Sequence, residues 1–258
     1  MHAGIDLKPK SLCGAAGAQQ AGRNALLDAL PRADWERLRG QFSVVELAPG
    51  QLLHAVHGLR RELYFPLSGL VSVSCLSRDG ACTEIAMIGD EGVVGVSALM
   101  GGEAPLAQSV VHGAGMALRI PAAALRREFE RSSALRTLML RYTRLLMAQM
   151  ARTALCGRHH SLEQRLCRWL LMRLDRLGGN EVPATHEVMA DMLGARRAGV
   201  SELASKLQKD GIIGGGRGQV LVFHRPRLEA RSCECYELMR RETEALIPRR
   251  PGSFGSFG

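Results

Sequence analysis

Arg196, Arg197, Ser201, Glu202 and Lys206 fall in one short stretch, on the face opposite Val200, Leu203, Ala204 and Leu207, which repeat at helical spacing. Two guanidinium groups, a hydroxyl, a carboxylate and an ammonium group do not make a nucleophile with its base and orienter. They do match duplex DNA. Arginine pairs with phosphate or with a guanine edge, and serine and glutamate reach other base edges. Two arginines in a helix's first turn oppose the macrodipole at a cost of up to about 1 kcal/mol each, so their placement implies an anion in front of them.

The elements that must hold this face are legible around it. Thr185, just past Pro183, is a helix N-cap and a phosphate contact; Glu187 suits the first turn, and Met189, Met192 and Leu193 form an apolar stripe. Gly194 can take the left-handed conformation that stops this helix and turns the chain into the next. Ala190, four residues earlier, is small enough for two backbones to cross closely. The spacing is that of a helix-turn-helix whose second helix enters the major groove. Downstream, Ile212 to Phe223 reads as strand, glycine-rich turn, strand, a wing with Arg217 at its tip facing a phosphate or the minor groove.

The run from Glu187 to Ser201, then Leu207-Gln-Lys-Asp-Gly-Ile-Ile213 and Arg217-Gly218, resembles the DNA-binding domain of Crp/Fnr-type bacterial transcription regulators. The resemblance extends over about residues 25 to 235. Between Phe42 and Pro121, short apolar or alternating runs separated by turn residues predict a jelly-roll-like β-sandwich. Tyr64-Phe-Pro-Leu-Ser-Gly-Leu-Val-Ser72 and Ile88-Gly-Asp-Glu-Gly-Val-Val-Gly95 resemble the sensory domain of that family, which is related to cyclic-nucleotide-binding domains. Cyclic-nucleotide binders of the family present a Gly-Glu pair for the ribose and an arginine about ten residues later for the phosphate. Here Gly95-Val96 and Ala107-Gln108-Ser109 stand in those places, so cyclic AMP binding is not expected. A different small-molecule effector would find backbone amides near Gly92 to Gly95 and the Ser109 hydroxyl.

From about Ser133 to Cys156 the sequence predicts a long helix without internal Pro or Gly. Leu135, Leu138, Tyr142, Leu145 and Gln149 alternate at three and four residues, with Met139, Leu146 and Met150 on an adjoining flank. In the resembled family this is the dimer coiled coil, and the first set is taken as its seam. Gly157-Arg-His-His-Ser161 is expected to break the helix as a hinge. Ser161 caps a further helix to about Leu177, and residues Arg227 to Leu246 form one last helix.

The formal charge of +9 is spread evenly, with 17 basic against 13 acidic residues up to 157 and 17 against 12 beyond, so it supports a polyanionic partner only weakly. Absence of a long apolar run or secretory signal argues for a soluble, cytoplasmic protein with no membrane partner. Seven scattered cysteines point to a reducing compartment. Cys233-Glu-Cys235 offers two ligands, too few for a metal site. The paired histidines of the hinge have no obvious carboxylate or cysteine to match. With Cys13 alone near the N-terminus, an iron-sulfur cluster is not expected, and His54, His57 and His112 give no basis for haem. No metal or cofactor is therefore predicted.

The reading is an α+β chain: a disordered tail (1–23), a sensory sandwich (24–131), a dimerisation helix (132–157), a winged helix-turn-helix domain (158–232), and a C-terminal extension and flexible tail (233–258). The implied function is that of a homodimeric regulator of a palindromic operator, with RNA polymerase as a further partner, rather than an enzyme. A cupin-like metal-dependent enzyme and a cyclic-nucleotide-gated signalling module are the alternatives; the first lacks a convincing histidine and carboxylate cluster, the second the Glu and Arg.

Overall fold

The computed structural model describes residues 24–59, 61–101 and 107–246. The tail expected at residues 1–23, with Cys13, and the last part (247–258) of the extension and tail expected at 233–258 lie outside them.

Two short helices, α1 (Ala25–Asp28) and α2 (Arg32–Leu38), lead into the sandwich. Buried Asn24 ties the start of α1 down, its side-chain amide donating to the carbonyls of Pro66 and Gly92 at 2.8 and 3.0 Å. The strands are β1 (Ser43–Leu47), β2 (Leu52–His54), β3 (Glu62–Pro66), β4 (Leu70–Leu76), β5 (Cys82–Ile88), β6 (Ala107–Gly113) and β7 (Gly115–Pro121). One antiparallel sheet runs β1-β7-β3 and the other β2-β6-β4-β5. Leu47, Val71, Val73, Ala86, Ile88, Val111 and Ala117 meet between them, as the period-2 runs required. β2 and the helix α3 (Ala122–Arg131) are additional to the elements expected.

β4 and β5 carry a register shift at Val73/Ser74, which sets Glu84 opposite Ser74 and Ala86 opposite Val73. The outer face of this sheet therefore offers Ser72, Glu84 and Met87 to the helices that cover it.

Ser132 caps the long helix α4 (Ser133–His159), its hydroxyl accepting from the Leu135 amide at 3.1 Å. Gly157 does not break α4; the helix continues one turn past the expected boundary, and the chain turns at His160. Ser161 then caps α5 (Leu162–Leu177), as predicted, and does so through a reciprocal capping box with Gln164 that the sequence reading did not include.

The small domain follows as β8 (Glu181–Val182), α6 (His186–Leu193), α7 (Arg197–Lys209), β9 (Ile213–Gly214) and β10 (Val220–Val222), with sheet order β8-β10-β9. Its core of Leu166, Leu170, Leu174, Met189, Ala190, Val200, Leu207 and Ile212 is continuous with Leu70 and Met87 of the sandwich. The single final helix expected from Arg227 is two: α8 (Arg225–Ala230) and α9 (Cys235–Leu246), with Cys233 in the break. No helix among the described residues is long and apolar enough to cross a membrane.

Candidate nucleic-acid interface

Local chemistry explains the two helices that form the site. The Thr185 hydroxyl accepts from the Val188 amide at 3.2 Å, opening α6. Gly194 closes it at φ 57°, its amide satisfying carbonyls of the last turn. Ala190 is buried at the crossing, and the Ala195 amide donates to its carbonyl at 2.9 Å. α7 then turns Val200, Ala204 and Leu207 inward; Leu203, expected with them, is only partly buried.

The outward face of α7 does not treat its polar residues alike. Arg196 takes the extended N-cap position without a side-chain cap, and Arg197 begins the helix; both are exposed. Among the described residues neither has an acidic partner. Glu202 is exposed as well. Lys206 is instead held by Glu163 at 2.7 Å, and the Ser201 hydroxyl lies 2.9 Å from His186 Nδ1 in a hydrogen bond across the two helices. Thr185 is exposed at the start of α6. The hairpin β9–β10 carries exposed Arg217 at its tip between Gly215 (φ 114°) and Gly218 (φ 88°), conformations that call for glycine. Arg196, Arg197 and Arg217 are thus cations without an acidic partner among the described residues, while Ser201 and Lys206 also hold the small domain together.

Other expected site residues lie elsewhere. Leu135, Tyr142, Leu145 and Gln149 are buried against the sandwich of their own chain, and Leu138 is partly buried in the same cluster. Gln149 accepts from the Met87 amide at 2.7 Å and donates to the Met87 carbonyl at 3.3 Å. The expected dimer seam is therefore corrected: four of its five residues are buried within their own chain, and Leu138 is left only partly exposed. The opposite side of α4 exposes Leu140, Met147 and Leu155, with Ala151 between them.

The effector contacts are corrected in the same way. At Gly92 an added Cβ would sit 2.5 Å from the Tyr142 hydroxyl, and at Gly95 (φ 94°) 2.7 Å from the His54 ring. Both glycines exist for close packing, and Ser109 is buried on β6. A cavity of about 260 Å³ lies instead where β5, α4, α5 and α6 meet, lined in part by Thr83, Met87, Thr153, Arg168, Trp169 and Leu193.

That junction also holds a polar network absent from the sequence reading. Glu84 accepts from Trp169 Nε1 at 2.9 Å, from Arg173 at 3.1 Å and from the Ser72 hydroxyl, while the Arg173 guanidinium lies over the Trp169 ring at 3.9 Å. Arg176 pairs with Glu91 at 2.7 Å beside it. The expectation that the hinge histidines lack matching cysteines is also corrected. His160 lies among Cys156, Cys233 and Cys235, because the break between α8 and α9 returns the chain to the end of α4.

The family model of the cyclic nucleotide-binding domain matches residues 44–132, and that of the Crp-like helix-turn-helix domain matches residues 164–231. No curated protein matches the sequence. Solved structures share the fold. A protein of the Crp/Fnr family from Eubacterium rectale superposes with TM-score 0.66 at 19% identity, covering 82% of this chain and 97% of its own. FixK2 from Bradyrhizobium japonicum gives 0.65 at 17%, covering 74% and 98%. The c-di-GMP-responsive regulator CLP from Xanthomonas campestris gives 0.62 at 16%, covering 75% and 99%. With a β-sandwich, a long helix and a winged helix-turn-helix in this order, and with the sandwich and the small domain each matched by its own family model, the chain belongs to the Crp/Fnr-type transcription regulators.

Proposed function

We propose that this regulator acts in the cytoplasm as a homodimer and reads a two-fold symmetric operator. α7 lies in the major groove and the wing reaches the flanking backbone. The observation that carries this reading is the pair Arg196 and Arg197, exposed at the start of α7 without an acidic partner among the described residues, while Ser201 and Lys206 nearby are engaged. Their charge meets phosphate or a guanine edge, and the helix start they destabilise is stabilised when that anion arrives. Leu140, Met147, Ala151 and Leu155 recur at intervals that keep one side of a helix, which supports pairing of α4 with α4 of a second copy. Such pairing presents two recognition helices about one helical turn of DNA apart.

Cyclic AMP does not fit as effector in this reading. Neither Gly95-Val96 nor Ala107-Gln108-Ser109 supplies the acid or the arginine, and side chains fill the space over Gly92 and Gly95. The cavity at the domain junction is the better place for a small molecule that alters how the two domains sit. RNA polymerase is the partner at a promoter.

Selection of bound sequences from a random duplex pool, using the full chain, tests the proposal. A consensus of two inverted half-sites is the expected result. Recovery of unrelated sequences, or of a single unrepeated site by a monomer, overturns it.

A further inference from the structure

Cys156 lies in the last turn of α4 and His160 caps its end in extended conformation, the His160 amide donating to the Cys156 carbonyl at 3.1 Å, while Cys233 lies in the break after α8 and Cys235 opens α9. The three sulfurs and a ring nitrogen of His160 all lie within 4.8 Å of one another. Cys156 Sγ is 3.5 Å from Cys233 Sγ, and Cys235 Sγ is 3.7 Å from His160 Nδ1. A tetrahedral ion with metal–sulfur bonds of about 2.3 Å and metal–nitrogen bonds of about 2.0–2.1 Å requires edges of about 3.8 Å between sulfurs and about 3.6 Å between sulfur and nitrogen. The two separations of 3.5 and 3.7 Å lie close to those edges, and the remaining ones are within 4.8 Å. They are far too long for a disulfide, and all the cysteines here are free. A cluster of several irons would need its ligands spread more widely.

The surroundings fit an ion as well as the ligands do. His160 turns Nδ1 toward the sulfurs while Nε2 lies 3.2 Å from the Glu234 carboxylate, which fixes the ring as a carboxylate behind a metal-bound histidine does. The three cysteines are buried as a cluster of their own, apart from the apolar cores. Three thiolates around a divalent cation leave one net negative charge. The buried guanidinium of Arg168 is within electrostatic reach of Cys156 and Cys235, and its Nε has no hydrogen-bond partner among the described residues. That cation offsets the charge.

We infer that Cys156, His160, Cys233 and Cys235 form a closed four-ligand site for a tetrahedral, thiophilic divalent cation of the zinc class. Four protein ligands leave no open position, so the ion is structural rather than catalytic. It ties the end of the long helix, at the turn into α5, to the segment that follows the wing, and so fixes the hinge between sandwich and small domain. The inference is independent of which DNA the protein reads.

The test is metal analysis of the full chain purified under reducing conditions with zinc supplied, followed by exchange to cobalt(II) and absorption spectroscopy. About one ion per chain is expected, with the visible bands of tetrahedral cobalt and the near-ultraviolet charge transfer of cobalt–thiolate bonds. His160→Ala and Cys235→Ser should each lower the bound metal at least severalfold, and Cys75→Ser and Cys82→Ser should not. The wild-type cobalt spectrum reports the site even where a variant fails to fold. Metal-free wild-type protein after reconstitution, octahedral cobalt without thiolate bands, an iron-sulfur chromophore, metal unchanged in both ligand variants, or thiols masked until a reductant frees them would each overturn it.

Discussion

The carboxylate of Glu84, on β5 of the sandwich, lies 3.1 Å from the guanidinium of Arg173, on the helix that carries the small domain, and both are buried. Burial lowers the Arg173 pKa, and Glu84 offsets this only in part. Among the described residues Nε and Nη1 of the guanidinium have no hydrogen-bond partner, so the cation depends on Glu84, Ser72 and the Trp169 ring. Removing one member of such a pair leaves a buried charge alone, whereas replacing both with apolar groups leaves none. Glu84→Leu is expected to destabilise the fold by about 3–5 kcal/mol. The double variant Glu84→Leu, Arg173→Met should recover much of that loss. Urea unfolding of the three proteins checks this; a double variant no more stable than Glu84→Leu would show that the charge pairing is not what matters.

Arg197→Ala is expected to cost about 1–3 kcal/mol in operator binding and to relax the preference at one base position. Titration of operator and random duplexes at one fixed salt concentration measures both effects. An equal loss on the two duplexes would move Arg197 from base reading to phosphate contact.

Arg217→Ala should weaken binding to all sequences and reduce the salt slope by about 1. The reason is the exposed place of Arg217 at the wing tip, where it has no acidic partner among the described residues. An unaltered slope would take the wing off the duplex.

The helix-turn-helix was legible in the sequence because its determinants are local. Thr185, Ala190, Gly194 and Val200 fix caps, crossing and turn within four helical turns, and each behaves as its chemistry requires. The alternating strands were legible for the same reason. The face of α4 was not, because the stripe through Leu135, Tyr142 and Gln149 and the stripe through Leu140, Met147 and Leu155 both follow helical spacing. Periodicity identifies a stripe but not what covers it; only the sandwich, folded against the first, leaves the second free. Glu84 with Arg173, and Cys156 with Cys233, are likewise brought together by domain docking and by the turn before α9, across separations that no local pattern encodes.

Met147→Glu should therefore split the proposed dimer while leaving the fold intact, since Met147 is 63% exposed in the single chain. A charge placed in an apolar seam should raise the dimer dissociation constant by at least about tenfold, a change of about 1.4 kcal/mol. Operator affinity should fall with it. Sedimentation across a concentration series, with circular dichroism to confirm folding, decides the matter: a variant that remains dimeric would place the interface elsewhere.

His112 gives the fold a pH dependence of defined sign. Burial, with the nearby Arg173 charge adding to it, lowers its pKa to about 4 from an ordinary value near 6.5. In the unfolded chain the ring takes up its proton near pH 6.5, so between there and about 4 the unfolded state binds more protons than the native one. The contribution of His112 to stability is fully present above that window and is lost as pH falls through it. The midpoint of thermal unfolding should thus drop between pH 7 and pH 5. His112→Gln should flatten this part of the profile, because glutamine does not titrate. A variant whose profile runs parallel to wild type across that window would assign the acid sensitivity to other groups.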